Sequence, residues 1–353
     1  MTIGRPSNTE YNTGLEYNDP MVTSRTGSLA LIALATGALL PSARAGTIDA
    51  VYAFGDSLSD VGNIYAASGG TIPGAPYVNG QFSNGPVWVQ DLAAGLGLAP
   101  LAPSLLGGTD YAYGSAQTGT TPVHAASALD LTGSTGQVAQ FQTAHPTADP
   151  NALYTIWIGS NDLLSILTGA TPPQYAADIA AAVTNVDTAI GTLAAEGSKN
   201  FLIATVPDLG LTPDAIASGP AVQAAASAVA AGFNSALVNG VTTLAILDDL
   251  NLSVLNTYSL LDAIVANPSS YGFTNVTDPC VTGAVNYVGG TACAATTAGQ
   301  DQYLFWDMLH PTAAGQAIVA DAALAELTPE PASASLIAVG LLGIGLVFRR
   351  RRV

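Results

Sequence analysis

Along the central part of the chain, short apolar runs end in polar, glycine-containing breaks and are followed by longer alanine-rich stretches. The runs at 51–54, 153–158, 200–206 and 252–258 are too short for helices and contain β-branched and aromatic residues, so they predict buried strands. A further short strand is predicted near 110–113. Between them, the patterns at 86–96, 136–144, 175–195, 220–248, 259–266 and 312–327 predict helices. Strands alternating with helices pack as a parallel sheet covered on both faces. The predicted fold class is therefore α/β, a three-layer α/β/α sandwich with a mostly parallel, flavodoxin-like central sheet of about five strands. No repeat period or internal linker divides residues 46–328, which are read as one domain. The long segment 267–302 is expected to be a decoration near the active face.

Both ends depart from this pattern. Residues 1–20 are polar, carry Glu10, Glu16 and Asp19, and have no periodicity. From Met21, Arg25 precedes the apolar run 29–40, then Pro41 and Ala43-Arg44-Ala45. This is the layout of a secretory signal peptide cleaved after Ala45, so residues 1–45 are read as an N-terminal extension and signal peptide. The acidic leader does not suit such a signal, which points to Met21 as the start of translation. At the other end, Thr328-Pro329-Glu330-Pro331 is followed by seventeen uncharged residues, 332–348, and four arginines. A helix of that length spans about 26 Å, near the lower limit for crossing a bilayer. The arginines would stay cytoplasmic. Residues 329–353 resemble the PEP-CTERM sorting signal of Gram-negative bacteria. The resemblance implies handling by an exosortase-type sorting machinery, export to the cell surface or beyond it, and membrane contact only through the tail before processing. A permanent single-span anchor is the other reading.

Charge narrows the partners. Four of the 25 acids and seven of the eight bases lie in the two ends, leaving residues 46–328 at about −20 with Lys199 as their one base. Such a surface repels nucleic acid and anionic membrane. With 49% hydrophobic and 9% charged residues, the 353-residue chain can bury a large core. Cys280 and Cys293 sit in a Gly/Thr/Asn-rich segment. In an exported protein they are expected to form a disulfide, and otherwise they are two free thiols. Two cysteines without nearby histidines cannot complete a metal shell.

Candidate chemistry sits where the apolar runs stop. The first delivers Gly55-Asp56-Ser57-Leu58, placing a serine at the ligand-binding mouth of an open sheet. Asp307-Met308-Leu309-His310-Pro311 precedes the last predicted helix. Its spacing lets Asp307 hold one imidazole nitrogen of His310 while the other faces Ser57. Ile158-Gly159-Ser160-Asn161-Asp162 ends another strand, where the Asn161 amide can donate to an oxyanion and Asp162 is expected to cap the next helix. In Asp110-Tyr111-Ala112-Tyr113-Gly114-Ser115-Ala116-Gln117, a glycine after a short strand can present its N–H. Each motif alone also reads as an ordinary turn or loop pair.

Together, and in this order, these blocks resemble the GDSL, or SGNH, hydrolase superfamily. The resemblance implies Ser57 as nucleophile, His310 as base and Asp307 as acid. It further implies an oxyanion hole built from the Ser57 N–H, the Gly114 N–H and the Asn161 side chain. Gln81-Phe82-Ser83-Asn84-Gly85-Pro86-Val87-Trp88 resembles a stretch common in the bacterial lipase-like members. Asp110 and Ser115 depart from the family's usual Asn and second Gly. Asp60 and Asn63 are read as bracing the first block, and His124 and His145 as surface or loop residues. The function implied is a secreted serine hydrolase of carboxylic esters acting through an acyl-enzyme, with neither metal nor organic cofactor. Its substrate would be a small-molecule, lipid or polysaccharide ester. Exopolysaccharide deacetylation, phospholipase or acyltransferase action and a non-catalytic glycan-binding surface protein are the alternatives.

Overall fold

The computed structural model describes residues 48–119, 129–133, 135–169 and 171–328. The signal-peptide and sorting-tail segments and His124 lie outside these residues. Four parallel strands form the central sheet in the order β1 (Val51–Gly55), β2 (Leu153–Trp157), β3 (Asn200–Ala204), β4 (Asn251–Leu255). The register pairs Val51 with Leu153, Leu153 with Asn200 and Asn200 with Asn251, so the four strands end level with one another. The fifth strand expected near 110–113 is reduced to a bridge. Asp110 pairs with Ala53, and the Tyr111 N–H donates to the Ala53 carbonyl at 2.7 Å. The Asp110 carboxylate turns inward to collect the Ala112 N–H, which takes this segment out of regular strand geometry. Counted with the bridge, the sheet has the flavodoxin-like order 2-1-3-4-5.

Ten helices are described: α1 (Asn63–Ala67), α2 (Trp88–Gly95), α3 (Gln137–Ala144), α4 (Ser160–Gly169), α5 (Pro172–Ala195), α6 (Pro213–Ser218), α7 (Pro220–Leu247), α8 (Thr257–Ala266), α9 (Thr297–Gln300) and α10 (Ala313–Leu327). Alternation along the strands sorts them into layers. Phe54, Tyr154, Ile156, Phe201 and Ile203 face a core completed by Phe141 of α3, Ile166 of α4, Ile190 of α5 and Phe233 of α7. Val51, Ala53, Leu153, Leu202 and Leu255 face the opposite side, against Trp88 and Leu92 of α2 and Val319 and Ala323 of α10. Among the described helices α7 alone is long and apolar enough to cross a membrane, and its Phe233, Leu237 and Val241 are buried in the first of these cores.

The segment after α8 is structured rather than loose. β5 (Asn275–Pro279) pairs with β8 (Tyr303–Phe305), and β6 (Val281–Thr282) with β7 (Thr291–Ala292). Cys280 and Cys293 form a disulfide at the base of the hairpin between them. His145 is not a bare loop residue: its ring stacks on Phe141 at 4.8 Å and meets Tyr52 edge-on.

Candidate active site

Strand β1 ends at Gly55, still paired with Trp157, and only glycine fits there: a Cβ would stand 2.3 Å from the Trp157 carbonyl oxygen. The backbone groups of Gly55 are held by one side chain, with the Tyr113 N–H also donating to the Gly55 carbonyl at 3.2 Å. Gln137 accepts from the Gly55 N–H at 2.9 Å and donates to the Gly55 carbonyl at 2.7 Å. Ser57 thus leaves the sheet from a fixed point, and only 9% of it is exposed.

His310 arrives on the loop between β8 and α10. Its Nε2 lies 2.7 Å from Ser57 Oγ, and its Nδ1 lies 2.8 Å and 3.0 Å from the two Asp307 oxygens. A carboxylate only accepts, so Nδ1 carries the proton toward Asp307 and Nε2 is the acceptor facing the serine. Asp307 also accepts the Leu309 N–H at 2.9 Å, the His310 N–H at 2.8 Å and the Tyr77 hydroxyl at 2.8 Å. Burial pushes the Asp307 carboxyl up, but the His310 charge and these donors outweigh it and hold the group below the ordinary carboxylate range. For His310, burial pulls down, yet Asp307 and then Asp56 raise the imidazole above its ordinary value.

The stretch 81–88 builds the seat of this loop. Ser83 donates to the Pro311 carbonyl at 3.0 Å, Asn84 accepts the Ala313 N–H at 2.7 Å, and the Phe82 ring lies 5.2 Å from the imidazole. Gly114 is required under Phe82, since a Cβ there would stand 2.5 Å from that ring.

The oxyanion side needs one correction. Gly114, expected to supply an N–H, spends it on Asp60 Oδ2 at 2.8 Å. The next residue, Ser115, lines the pocket in a left-handed conformation (φ 65°), and its N–H makes no hydrogen bond to the described residues. The Ser57 N–H likewise makes no hydrogen bond to the described residues. Asn161 gives one amide hydrogen to the Ala116 carbonyl at 2.9 Å, has no second acceptor among the described residues, and lines the same pocket. Asp162 is not a helix cap. It sits inside the first turn of α4 and accepts from the Thr118 hydroxyl at 2.7 Å and the Thr118 N–H at 3.0 Å, which ties α4 to the loop carrying Ser115.

Four buried carboxyls surround this half of the site. Asp60 receives the N–H groups of Gly62, Asn63, Ile64 and Gly114, and Asp110 those of Val61 and Ala112. Burial nonetheless pushes Asp60 up to about 6, Asp162 to about 6 and Asp56 to about 7, and Asp110 well above its ordinary value. One oxygen of Asp56 has no hydrogen-bond partner among the described residues. No group of three or more His, Cys, Asp or Glu side chains among the described residues is placed to hold a metal ion.

Tyr77, Gln137 and Ser115 were not singled out for these roles from sequence. Tyr77 precedes the 81–88 stretch by four residues, and that stretch was the only signal pointing toward it.

Comparison with known proteins bears on the same residues. The model of the GDSL-like lipase/acylhydrolase family matches residues 51–323. The thermolabile hemolysin of Vibrio parahaemolyticus is 31% identical over 287 residues, covering 78% of this chain and 62% of the hemolysin. The phosphatidylcholine-sterol acyltransferase of Aeromonas hydrophila is 29% identical over 249 residues, 70% of each chain. The chain thus spans less than two thirds of the hemolysin's length. Among solved structures, an acetylxylan esterase from Geobacillus stearothermophilus aligns over 81% of this chain and 96% of its own at 12% identity and a TM-score of 0.41. With the matched region running from β1 through α10 and enclosing Ser57, Asn161, Asp307 and His310, the chain belongs to the GDSL-like lipase/acylhydrolase family.

Proposed function

We propose that this chain is an exported serine hydrolase that cleaves carboxylic esters through an acyl-enzyme on Ser57. The observation that carries the reading is the unbroken relay from Ser57 Oγ through His310 to Asp307, at 2.7 Å and 2.8 Å. As Ser57 Oγ attacks the ester carbonyl, His310 Nε2 takes its proton, and the carbonyl oxygen becomes an oxyanion facing the N–H groups of Ser57 and Ser115 and the Asn161 amide. The tetrahedral species collapses, the bond to the alcohol breaks, and His310 returns the proton to the departing alkoxide. Water then gives a proton to His310 and attacks the acyl carbonyl, and as this second tetrahedral species collapses His310 returns the proton to Ser57 Oγ and the acid leaves. Asp307 keeps the imidazole in one tautomer and stabilises its charged form.

The acyl side of the substrate is argued from the pocket beside Ser57. It is walled by Leu58, Trp157, Leu164, Leu209, Leu304 and Val319. Thr257, Leu260, Leu261 and Ile264 line it from one face of α8. From Thr257 to Ile264, eight residues, the helix rises about 10 Å. Such a wall favours a hydrocarbon chain over an acetyl group, because each buried methylene contributes about 0.8 kcal/mol. The name of the acyltransferase relative points the same way. Export is supported by the signal-like and sorting-like ends and by the disulfide, which suits an oxidising compartment. The same ends favour a Gram-negative cell surface and an exosortase-type partner.

The test is an ester panel running from acetyl to long-chain acyl groups. Ser57→Ala is expected to lose at least about 10³-fold in kcat with its melting temperature kept. In the parent protein kcat/KM is expected to climb with chain length until the pocket is full. Undiminished turnover by Ser57→Ala would refute the nucleophile, and preference for acetyl esters would refute the acyl assignment.

A further inference from the structure

We propose that the disulfide-closed hairpin 280–293 belongs to the catalytic apparatus: its tip holds the Tyr287 ring against the His310 imidazole, and keeping it there is what the disulfide contributes to turnover. This rests on the reading of Ser57, His310 and Asp307 as the working relay.

Tyr287 sits in an unusual place for its size. Val285 and Val288 exchange both backbone hydrogen bonds at 3.0 Å, leaving Asn286 and Tyr287 as the two central residues of a tight hairpin turn. Their φ values are 50° and 61°. Turns of this kind favour Asn followed by Gly, and a bulky residue with positive φ is an outlier. A strained backbone persists where the surroundings over-determine it, and it gathers at functional sites. Here the surroundings do so from both sides. The Gly74 N–H donates to the Tyr287 carbonyl at 2.9 Å, and the Gly289 N–H to the Ala75 carbonyl at 2.8 Å, pinning the tip to the loop that leads into Tyr77.

The ring this turn presents meets the base. Tyr287 lies 5.5 Å from the His310 ring at 70°, and 4.9 Å from Phe82, which packs on the same imidazole. The two aromatics confine His310 to the orientation that reaches both Ser57 and Asp307, and His310 is only 4% exposed. Tyr287 also lines the substrate pocket.

The base of the hairpin is fixed to the catalytic loop. The Cys280 N–H donates to Phe305 and the Val281 N–H to Trp306, at 3.0 Å and 2.7 Å, just before Asp307. Without the bond between Cys280 and Cys293, the returning arm at 291–292 would be joined to the fixed arm at 281–282 only by the two-residue pairing of β6 and β7. Two-stranded hairpins are marginal in water.

The experiment is a double-mutant cycle in the full-length oxidised protein, assayed on one activated ester below the melting temperature of every variant. Tyr287→Phe, which keeps the ring, is expected to recover most of the kcat that Tyr287→Ala loses. Tyr287→Ala is expected to lose about ten- to a hundredfold, mainly in kcat, the scale of a misplaced catalytic group. Cys280→Ala with Cys293→Ala is expected to lose about tenfold, and to lose less than about twofold more once Tyr287 is already Ala. Losses that multiply, a Tyr287→Ala rate within about twofold of the parent, or an undiminished rate in the cysteine variant would each overturn the proposal. Ser57→Ala run alongside separates the two levels: if it matches the parent, the relay itself falls and this inference with it. If it is dead while Tyr287→Ala is fully active, the inference alone falls.

Discussion

Asp60 and Asp307 are both buried carboxylates that collect backbone N–H groups, yet the protein shifts them in opposite directions. Asp60 takes four such donors and still stands at about 6, whereas Asp307 takes two, with Tyr77 and His310, and stands below its ordinary value. Burial opposes ionisation in both. What separates them is the imidazole: a cationic partner offsets desolvation where neutral dipoles do not. The half of the site that braces the oxyanion loops is thus built from carboxyls with raised values, and the half that moves the proton from a carboxylate held ionised beside an imidazole.

The sharpest way to break this contrast is to remove the charge at Asp307. Asp307→Asn retains the size of the group and is expected to lower kcat by about 10³- to 10⁴-fold, measured by steady-state ester hydrolysis with circular dichroism as the control for folding. The amide cannot stabilise the imidazolium, and it admits the wrong tautomer.

A second test sets the two halves against each other with pH. Asp56, Asp60, Asp110 and Asp162 hold protons in the folded chain above the ordinary carboxyl value of 3.8. Between about pH 4 and 7 the folded chain therefore binds more protons than the unfolded one, and stability falls as pH rises. The lowered Asp307 contributes in full across that window, above its unfolded value. The raised His310 contributes fully below its unfolded value and loses its share as pH rises through its folded one. Neither reverses the trend. Turnover needs a neutral His310, so kcat/KM is expected to rise through the raised imidazole value while the melting temperature drops by about 5 °C or more. Stability and activity that rise together would contradict the assignment.

The smallest effect is expected at Tyr77. Tyr77→Phe removes one donor from Asp307, leaving a more basic carboxylate and a His310 that protonates more readily. The acid limb of the pH profile is expected to move to higher pH, with a loss in kcat/KM of about tenfold or less.

Much of the framework was legible in the chain because parallel strands are buried on both faces and read as unbroken apolar runs. Ser57, Asn161 and His310 were legible because each follows such a run or precedes a strong helix pattern. What failed was local. The strand near 110–113 became a bridge because Asp110 folds its carboxylate into its own backbone. The Gly114 N–H is not free for an oxyanion because Asp60, distant in sequence, claims it. Asp162 looked like a helix cap, but its partner, Thr118, is 44 residues away. Tyr77 and Tyr287 lie in loops without periodicity, and their roles exist only through contacts with His310 and Asp307.

If Ser57 is an activated nucleophile, it reacts covalently with an electrophile that mimics the ester. A fluorophosphonate probe is expected to modify the folded protein at Ser57 alone, as mapped by peptide mass spectrometry, with labelling slowed by orders of magnitude in His310→Ala. A folded protein that is not labelled, or that is labelled equally with and without His310, would contradict the account.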